Sequence, residues 1–320
     1  MFSFLVTYYN QQEFVERSLN SIFSQKLTEP FEVLVGDDGS SDATVKIVKE
    51  FQKKYLEKII LNIQERDISI KYNPVERASK NRLDLLKMAK GDYVCFLDGD
   101  DAYCDENWIQ ESIDILKKDK SLIGVAHNYC EIFPDGKKIT PAGTGSHEYI
   151  TSAIYCRKLY TPAGTIVFRN CFNERDYNKL IALKSFDDND ITFYFLNYGN
   201  LFCQNKTVYA YFQNENSIWN SSNAIEKAII NAIDYEIIKK IILKHHFQLF
   251  LKYFSNVYYV YKNINLLNSE KYKKYHSQAL DGGTVKKLLL WENLPILQKL
   301  FLSTKLFILK VFHFIFSKIL

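Results

Sequence analysis

Short apolar runs alternate with helix-like segments through the first 130 residues of the chain. Three runs have the length of buried strands, at residues 2–6, 31–36 and 93–97. Four segments have the pattern of helices between the strands, at residues 12–25, 42–55, 77–89 and 106–118. A further strand is predicted at about 122–133. Strands that alternate with helices predict an α/β domain with a mostly parallel, Rossmann-like sheet flanked by helices.

Polar clusters follow three of the predicted strands. They occupy residues 7–10, 37–42 and 98–101. The carboxyl ends of parallel strands lie at one edge of a sheet, and ligands of open α/β sheets bind there. The pattern therefore predicts a ligand site built from these three clusters.

The pattern changes in the second half of the chain. A strand is predicted at 165–169, a helix at 188–198 and mainly helical structure at 223–265. We therefore place a domain boundary near residue 222, with an α/β domain over 1–222 and a helical C-terminal region over 223–320.

The segment 285–320 is apolar but interrupted by lysines, and it lacks the charge-free run of about 18 residues that a membrane-spanning helix needs. On a helical wheel its polar residues gather on one face, which predicts a helix lying in a membrane interface. The polar face is formed by Lys299, Ser303, Lys310, His313 and Ser317. The alternative is a buried or dimer-forming helix.

Composition narrows the class of protein. A net charge of +4 is too small to indicate nucleic acid binding. The six cysteines form no C-x-x-C pair, which favours free thiols in a reducing compartment. The N-terminal residues have no basic region before the first apolar run and no cleavage site, so we expect a cytoplasmic location.

An acidic cluster at residues 98–101 follows the strongly apolar strand 93–97. The carboxylates of Asp98 and Asp100 flank Gly99, which lets the chain turn. Closely spaced carboxylates repel each other unless a cation joins them, and hard oxygen ligands suit Mg²⁺ or Mn²⁺. The alternative is a solvated turn, which the position after a buried strand disfavours.

A second cluster contains Asp37 and Asp38. A carboxylate at a strand end can accept hydrogen bonds from a ribose or a base, and the same residues can also form a tight turn and a helix cap. The chain lacks both G-x-G-x-x-G and the P-loop pattern, which disfavours a nicotinamide dinucleotide site and a P-loop.

These clusters carry a family resemblance. In order and spacing, the sequence at 7–10, 37–44 and 91–101 resembles the family 2 glycosyltransferases, which have the GT-A fold. The resemblance covers about residues 1–220. It implies a nucleotide-sugar-binding part at 1–101 and an acceptor-side part at 102–222.

The resemblance also implies roles for individual residues. Asp98 and Asp100 would bind the metal, with Asp100 the more direct ligand. Lys80 and Asn81 match a donor-binding Ala-Arg-Asn pattern, although Lys80 lacks the planar fork of arginine. The other implied donor-site residues are Thr7, Tyr8, Asn10, Asp37, Asp38 and Gly99.

Three further residues are candidates on the acceptor side. Asp188 matches the family's catalytic base, since an acceptor hydroxyl must lose a proton as it attacks; the alternative is an acidic first turn of a helix. Arg169 would contact the donor phosphates or cap a helix. Trp219 would stack on a sugar or anchor the core.

Together these observations predict an inverting glycosyltransferase that uses Mn²⁺ or Mg²⁺. By resemblance, the donor would be a UDP-sugar. The acceptor would be a glycan or lipid-linked glycan precursor of a surface polysaccharide such as lipopolysaccharide, reached at the cytoplasmic face of a membrane. The alternatives are a nucleotidyltransferase and a non-catalytic protein that binds nucleotide sugars.

Overall fold

A computed structural model describes most of the first 272 residues. The described ranges are 1–67, 69–70, 72–141, 148–158, 162–213, 222–272, 275 and 283–285. Trp219 and all of the predicted interfacial tail after residue 285 lie outside them. None of the helices within these ranges is long and apolar enough to span a bilayer.

The described strands form one sheet with the order β3-β2-β1-β4-β9-β6-β10-β5, with β7 beside β6 and β8 beside β10. The strands are β1 (Phe2–Tyr8), β2 (Phe31–Asp37), β3 (Ile59–Ile63), β4 (Tyr93–Asp98), β5 (Ala102–Tyr103), β6 (Leu122–Ile132), β7 (Lys138–Ile139), β8 (Glu148–Ile150), β9 (Ile166–Arg169) and β10 (Asn200–Phe212).

The sheet has a parallel half and a mixed half. Strands β3, β2, β1 and β4 are parallel, as the sequence predicts. Strand β9 is inserted between β4 and β6 and runs antiparallel to both. The α/β fold class is confirmed, and β6 and β10 are again parallel, but β9 and the short strands β5, β7 and β8 make the sheet mixed. An apolar run of four residues carries no signal for its direction, so the sequence could not reveal this.

Nine helices are present in the part of the chain that the structure describes. They are α1 (Val15–Phe23), α2 (Thr44–Lys54), α3 (Pro74–Met88), α4 (Trp108–Lys118), α5 (Ser152–Lys158), α6 (Glu174–Ile181), α7 (Asp188–Phe195), α8 (Ala224–Ile241) and α9 (His246–Lys262). Helices α1 to α4 pack on the sheet. Short 3₁₀ helices lie at Ala163–Thr165 and Ile264–Asn268.

The core on one face of the sheet joins α1, α2 and α4 to the parallel strands. Leu19 of α1, Val48 of α2 and Trp108 of α4 are fully buried in one cluster with Phe4 and Val6 of β1. Burial of each such side chain stabilises the fold by roughly 1.5–3 kcal/mol. This packing fixes the carboxyl ends of β1, β2 and β4 relative to one another.

The chain divides into two compact units. One comprises residues 1–223 and 237–252, and the other comprises 224–236 and 253–320. The first contains the whole sheet and all the site residues discussed below. In the second, the rings of Tyr235 and Tyr253 lie 6.2 Å apart. The predicted boundary at residue 222 stays a prediction.

Candidate donor and catalytic site

The ends of β1, β2 and β4 meet at one edge of the sheet. Thr7 pairs with Gly36 on one side and with Asp98 on the other. The amide of Gly99 donates to the carbonyl of Thr7 at 3.0 Å. The amide of Asp38 likewise donates to the carbonyl of Tyr8 at 2.9 Å. The three predicted polar clusters therefore come together.

Asp37 and Asn10 shape this edge. The Asp37 side chain is fully buried, and its Oδ1 accepts from the amides of Gly39 at 3.0 Å and Ser40 at 2.8 Å. Asn10 Oδ1 accepts from the amide of Ser41 at 2.8 Å, which ties the β1 loop to the β2 loop. Both side chains therefore stabilise the loops at this edge, and their predicted donor contacts stay predictions.

Asp38 lies between two arginines that the sequence analysis missed. Arg66 pairs with Asp38 Oδ2, and Arg77 Nη2 lies 2.5 Å from Oδ1. The guanidinium of Arg66 also stacks on the exposed ring of Tyr9, 3.8 Å from its centroid. Asp38 is only 5% exposed, so this carboxylate is held by paired charge.

The ring of Tyr8 packs against Gly99, in the turn between Asp98 and Asp100. Its hydroxyl lies 2.5 Å from Ser18 Oγ, and the side chain is 2% exposed. A Cβ added to Gly99 would lie 2.1 Å from the Tyr8 ring. The Tyr8 ring is thus part of the core, and the predicted donor contact of this residue stays a prediction. Gly99 is required for this close packing.

The predicted donor contacts of Lys80 and Asn81 also stay predictions, and the structure shows which partners the two side chains have. Lys80 Nζ pairs with Asp84 at 2.5 Å, one turn along α3. Asn81 is buried, and its Nδ2 donates to the carbonyl of Gly36 at 2.9 Å. Asn81 therefore joins α3 to β2.

Arg82 is the α3 residue that reaches the acidic turn. Its Nη2 donates to Asp98 Oδ1 at 2.8 Å. Burial opposes its charge, but Asp98 and Asp188 outweigh that effect and raise the pKa of Arg82. Its proximity to Asp98 depends on how α3 lies on the sheet, and the sequence did not reveal this.

Asp98 and Asp100 carry like charges that repel each other. Burial and the neighbouring Asp98 raise the pKa of Asp100 to about 6. By contrast, Asp101 is fixed in the protein: its carboxylate accepts from the Tyr209 hydroxyl at 2.6 Å and the amide of Phe212 at 2.8 Å. Two carboxylates whose repulsion a cation would relieve fit a divalent metal.

The protein alone does not complete a metal centre. Within the described ranges, no group of three or more His, Cys, Asp or Glu side chains could hold an ion. Mg²⁺ commonly binds through one or two carboxylates, with waters and substrate phosphates completing its shell. The carboxylate pair therefore fits a metal that binds together with a diphosphate.

The acidic residues at the start of α7, Asp187, Asp188 and Asp190, have different contacts. Asp187 and Asp190 form a capping box, in which Asp187 accepts from the amides of Asn189 and Asp190. Asp190 also accepts from Ser185 Oγ at 2.7 Å. These two residues therefore hold the helix start in place.

Asp188 sits between these capping residues and turns toward the site. Its Oδ1 accepts from the amide of Ala163 at 2.9 Å. Burial and the charge of Asp98 raise the pKa of Asp188 to about 6, while Arg82 opposes that rise. A half-buried carboxyl that titrates near neutrality has the properties of a general base.

Arg169 lies away from this edge. It pairs with Tyr93 at the opposite end of β4 from Asp98. Its Nη2 donates to the carbonyl of Leu116 at the end of α4, at 2.6 Å. The predicted phosphate contact is therefore wrong, and the helix-cap alternative is what the structure shows. The antiparallel direction of β9 is the reason.

The sheet order, the acidic strand ends and the flanking helices define a GT-A fold. The sequence model described as "Glycosyl transferase family 2" matches residues 3–180, which is more than half of the chain. The chain belongs to glycosyl transferase family 2.

Solved structures agree on the fold. The crystal structure of Staphylococcus aureus TarS 1–349 in complex with UDP-GlcNAc has a TM-score of 0.60 at 17% sequence identity, over 89% of this chain and 81% of that one. The complex of the same protein with UDP has a TM-score of 0.59 at 19% identity, over 82% and 72% of the two chains.

Curated relatives match over shorter stretches. Poly(ribitol-phosphate) beta-N-acetylglucosaminyltransferase TarS of Staphylococcus aureus is 33% identical over 105 residues, 31% of this chain and 16% of that protein. The dTDP-rhamnosyl transferase RfbG of Shigella flexneri is 32% identical over 133 residues, 41% of this chain and 43% of that protein. The chain thus spans less than half the length of either relative.

Proposed function

We propose that this chain is an inverting glycosyltransferase that moves a sugar from a nucleoside-diphosphate donor, UDP-linked, to a hydroxyl group of a glycan or lipid-linked glycan. The observation that carries the proposal is the meeting of Asp188 with the Asp98–Asp100 turn at one sheet edge, with Arg82 facing both. A general base and a diphosphate-binding turn in one place are the two requirements of the reaction.

Asp188 acts as the base. Its carboxylate accepts the proton of the acceptor hydroxyl while that oxygen attacks the anomeric carbon. The bond between the anomeric carbon and the diphosphate oxygen breaks, and the electron pair leaves with the nucleoside diphosphate. A single displacement of this kind inverts the anomeric configuration.

Asp98 and Asp100 would hold the metal ion, Mn²⁺ or Mg²⁺. When bound, the ion offsets the negative charge that grows on the departing diphosphate. Asp100 is the more direct ligand, because Asp98 already accepts from Arg82. The nucleoside lies along the other part of the edge, beside Thr7, Asp38, Tyr9 and Arg66.

The relatives support the choice of substrates. The TarS structures contain UDP and UDP-GlcNAc, which supports a UDP-sugar donor. Poly(ribitol-phosphate) and rhamnosyl transferases among the relatives support an acceptor in a cell-surface polysaccharide. A cytoplasmic site at a membrane face, reached through 285–320, belongs to the same proposal. Deletion of 286–320 should then release the protein from sedimented vesicles.

A donor screen tests the proposal. The melting temperature is measured with UDP-, GDP- and dTDP-sugars, each with and without Mn²⁺, since a ligand that binds only the folded state raises it. A Mn²⁺-dependent shift with UDP-sugars is expected, together with slow UDP release in water. Pyrophosphate release from UTP and a sugar 1-phosphate would instead indicate a nucleotidyltransferase. Binding without any UDP release, even with glycan acceptors, would indicate the non-catalytic alternative.

A further inference from the structure

Arg17 of α1 lies behind the acidic turn, and neither the motifs nor the proposed chemistry accounts for it. Its guanidinium donates to the main-chain carbonyl of Asp100. The same group stacks 3.5 Å from the ring centroid of Phe212, at the end of β10, and 5.0 Å from that of Phe14. Arg17 thus joins the start of its own helix to two other segments of the chain, at Asp100 and Phe212.

Phe212 is itself fixed to the acidic turn. Its amide donates to Asp101 Oδ1 at 2.8 Å, and Asp101 Oδ2 accepts from the Tyr209 hydroxyl at 2.6 Å. Arg17 and Asp101 therefore join the same two segments. Arg17 does so by stacking on Phe212 and donating to the Asp100 carbonyl, and Asp101 does so through its carboxylate. Together they fix the main chain from the carbonyl of Asp100 to Asp101.

The guanidinium also contributes charge and cannot turn away to bind a ligand. It lies close enough to the carboxylates of Asp100 and Asp101 to interact with their charges. Within the described residues, its Nε is buried and has no hydrogen-bond partner. A planar cation held between a ring and a carbonyl in this way is suited to positioning the turn rather than to touching substrate.

We propose that Arg17 is a positioning residue for the metal-binding turn, which fixes the Asp100 carbonyl and so aims the Asp100 carboxylate at the ion. The inference rests on the proposed function, because it concerns the metal that the function requires. Groups that orient the ligands of a metal without touching it typically contribute about 10–100-fold in affinity.

The test measures Mn²⁺ binding directly, in the presence of UDP, by electron paramagnetic resonance of the free ion. Arg17→Met keeps the stem and removes the fork and the charge, and it should weaken Mn²⁺ binding by about 10–100-fold. Arg17→Lys keeps the charge but loses the planar stack, so it should fall between Arg17→Met and the wild type. Arg175→Met, at an exposed position of α6, is the matched control and should bind Mn²⁺ as the wild type does.

Melting curves without metal separate positioning from folding. All measurements are made far below the melting temperature, so that each variant is folded. If the wild type binds Mn²⁺ with UDP and Arg17→Met binds it within about twofold of that affinity, the inference is wrong while the proposed function stands. If the wild type binds no Mn²⁺ with UDP, the proposed donor chemistry fails, and the inference fails with it.

Discussion

Two acidic clusters lie at the same sheet edge, and they differ in how their charge is balanced. At the end of β2, Asp37 is used by its own loop, and Asp38 lies between Arg66 and Arg77. At the end of β4, Asp98 and Asp100 repel each other, and Asp188 adds a third carboxyl that faces Arg82. The protein's own groups balance the charge of the first cluster. The second cluster keeps a repulsion between carboxylates that a bound cation would relieve.

This difference distinguishes carboxylates that stabilise the fold from carboxylates that are proposed to take part in the reaction. A carboxylate that the protein pairs fully stabilises the fold, and its removal leaves unpaired cations. A carboxyl with a raised pKa costs stability until a ligand or a proton joins it. Neighbouring Asp-Asp pairs in one sequence can therefore have opposite effects on stability when they are neutralised.

The largest expected effect is on the rate. Asp188→Asn keeps the shape of the side chain but cannot accept a proton at neutral pH, so kcat should fall by about 10²–10⁴-fold. The donor dissociation constant should stay within a few-fold of the wild type, because the proposed function directs Asp188 toward the acceptor. Single-turnover transfer and calorimetric donor titration measure the two quantities.

The neighbouring carboxyls serve as controls for Asp188. Asp187→Asn and Asp190→Asn remove parts of the capping box, so they should lower stability by about 0.5–2 kcal/mol and affect kcat less. A lethal Asp187→Asn with a tolerated Asp188→Asn would move the base by one residue. If all three variants kept full activity, the base would lie elsewhere.

The next effect is on the free energy of unfolding at the first cluster. Asp38→Asn leaves Arg66 and Arg77, which are 20% and 12% exposed at their side chains, without an opposite charge. Breaking a buried pair in this way typically costs about 3–5 kcal/mol, which urea unfolding would detect. The matched control is Glu106→Gln, which breaks the solvent-exposed pair with Lys26 and should leave the free energy of unfolding nearly unchanged. Equal costs for the two variants would contradict the comparison.

A smaller effect is expected on the pH dependence. The base must be ionised, and the pKa of Asp188 is about 6, so kcat/KM should fall as the pH drops below that value and level off above it. Arg82 lowers the pKa of Asp188 and of Asp100. Arg82→Met should therefore move the acid limb to higher pH, by roughly one unit. A profile of kcat/KM against pH at saturating Mn²⁺ checks the direction, and a shift toward lower pH would contradict it.

The smallest effect has the opposite sign to that of Asp38→Asn. Asp100→Asn removes the repulsion from Asp98, so the metal-free protein should gain stability on the order of 1 kcal/mol. The same variant should lose the rise in melting temperature that Mn²⁺ and UDP give the wild type. Thermal unfolding with and without the ligands measures both. A large loss of stability would show that the protein itself balances the charge of Asp100, as it does for Asp38.

The sequence predicts the location of the site well, because strand ends are local features. The apolar runs before Thr7, Asp38 and Asp98 place all three residues at one edge, and the fold class is confirmed. The acidic run at 187–190 is also a local signal. However, the sequence alone cannot distinguish an aspartate that caps the helix from one that acts as a base.

The cations could not be found in this way. Lys80 and Arg82 lie two positions apart on α3, about 200° around the helix, and only the docking of α3 decides which of them reaches Asp98. Arg17 and Arg66 contact residues far away in the sequence. Arg169 was misplaced because β9 runs in the reverse direction.

The position of β9 also has a consequence for synthesis of the chain. Strand β4 carries Asp98, yet its outer neighbour is supplied only when residues 166–169 have been made. Until then a nascent β3-β2-β1-β4 sheet exposes a hydrophobic edge, which is a template for pairing with other chains. Fragments that end before residue 166 should therefore be more prone to aggregation than the full chain.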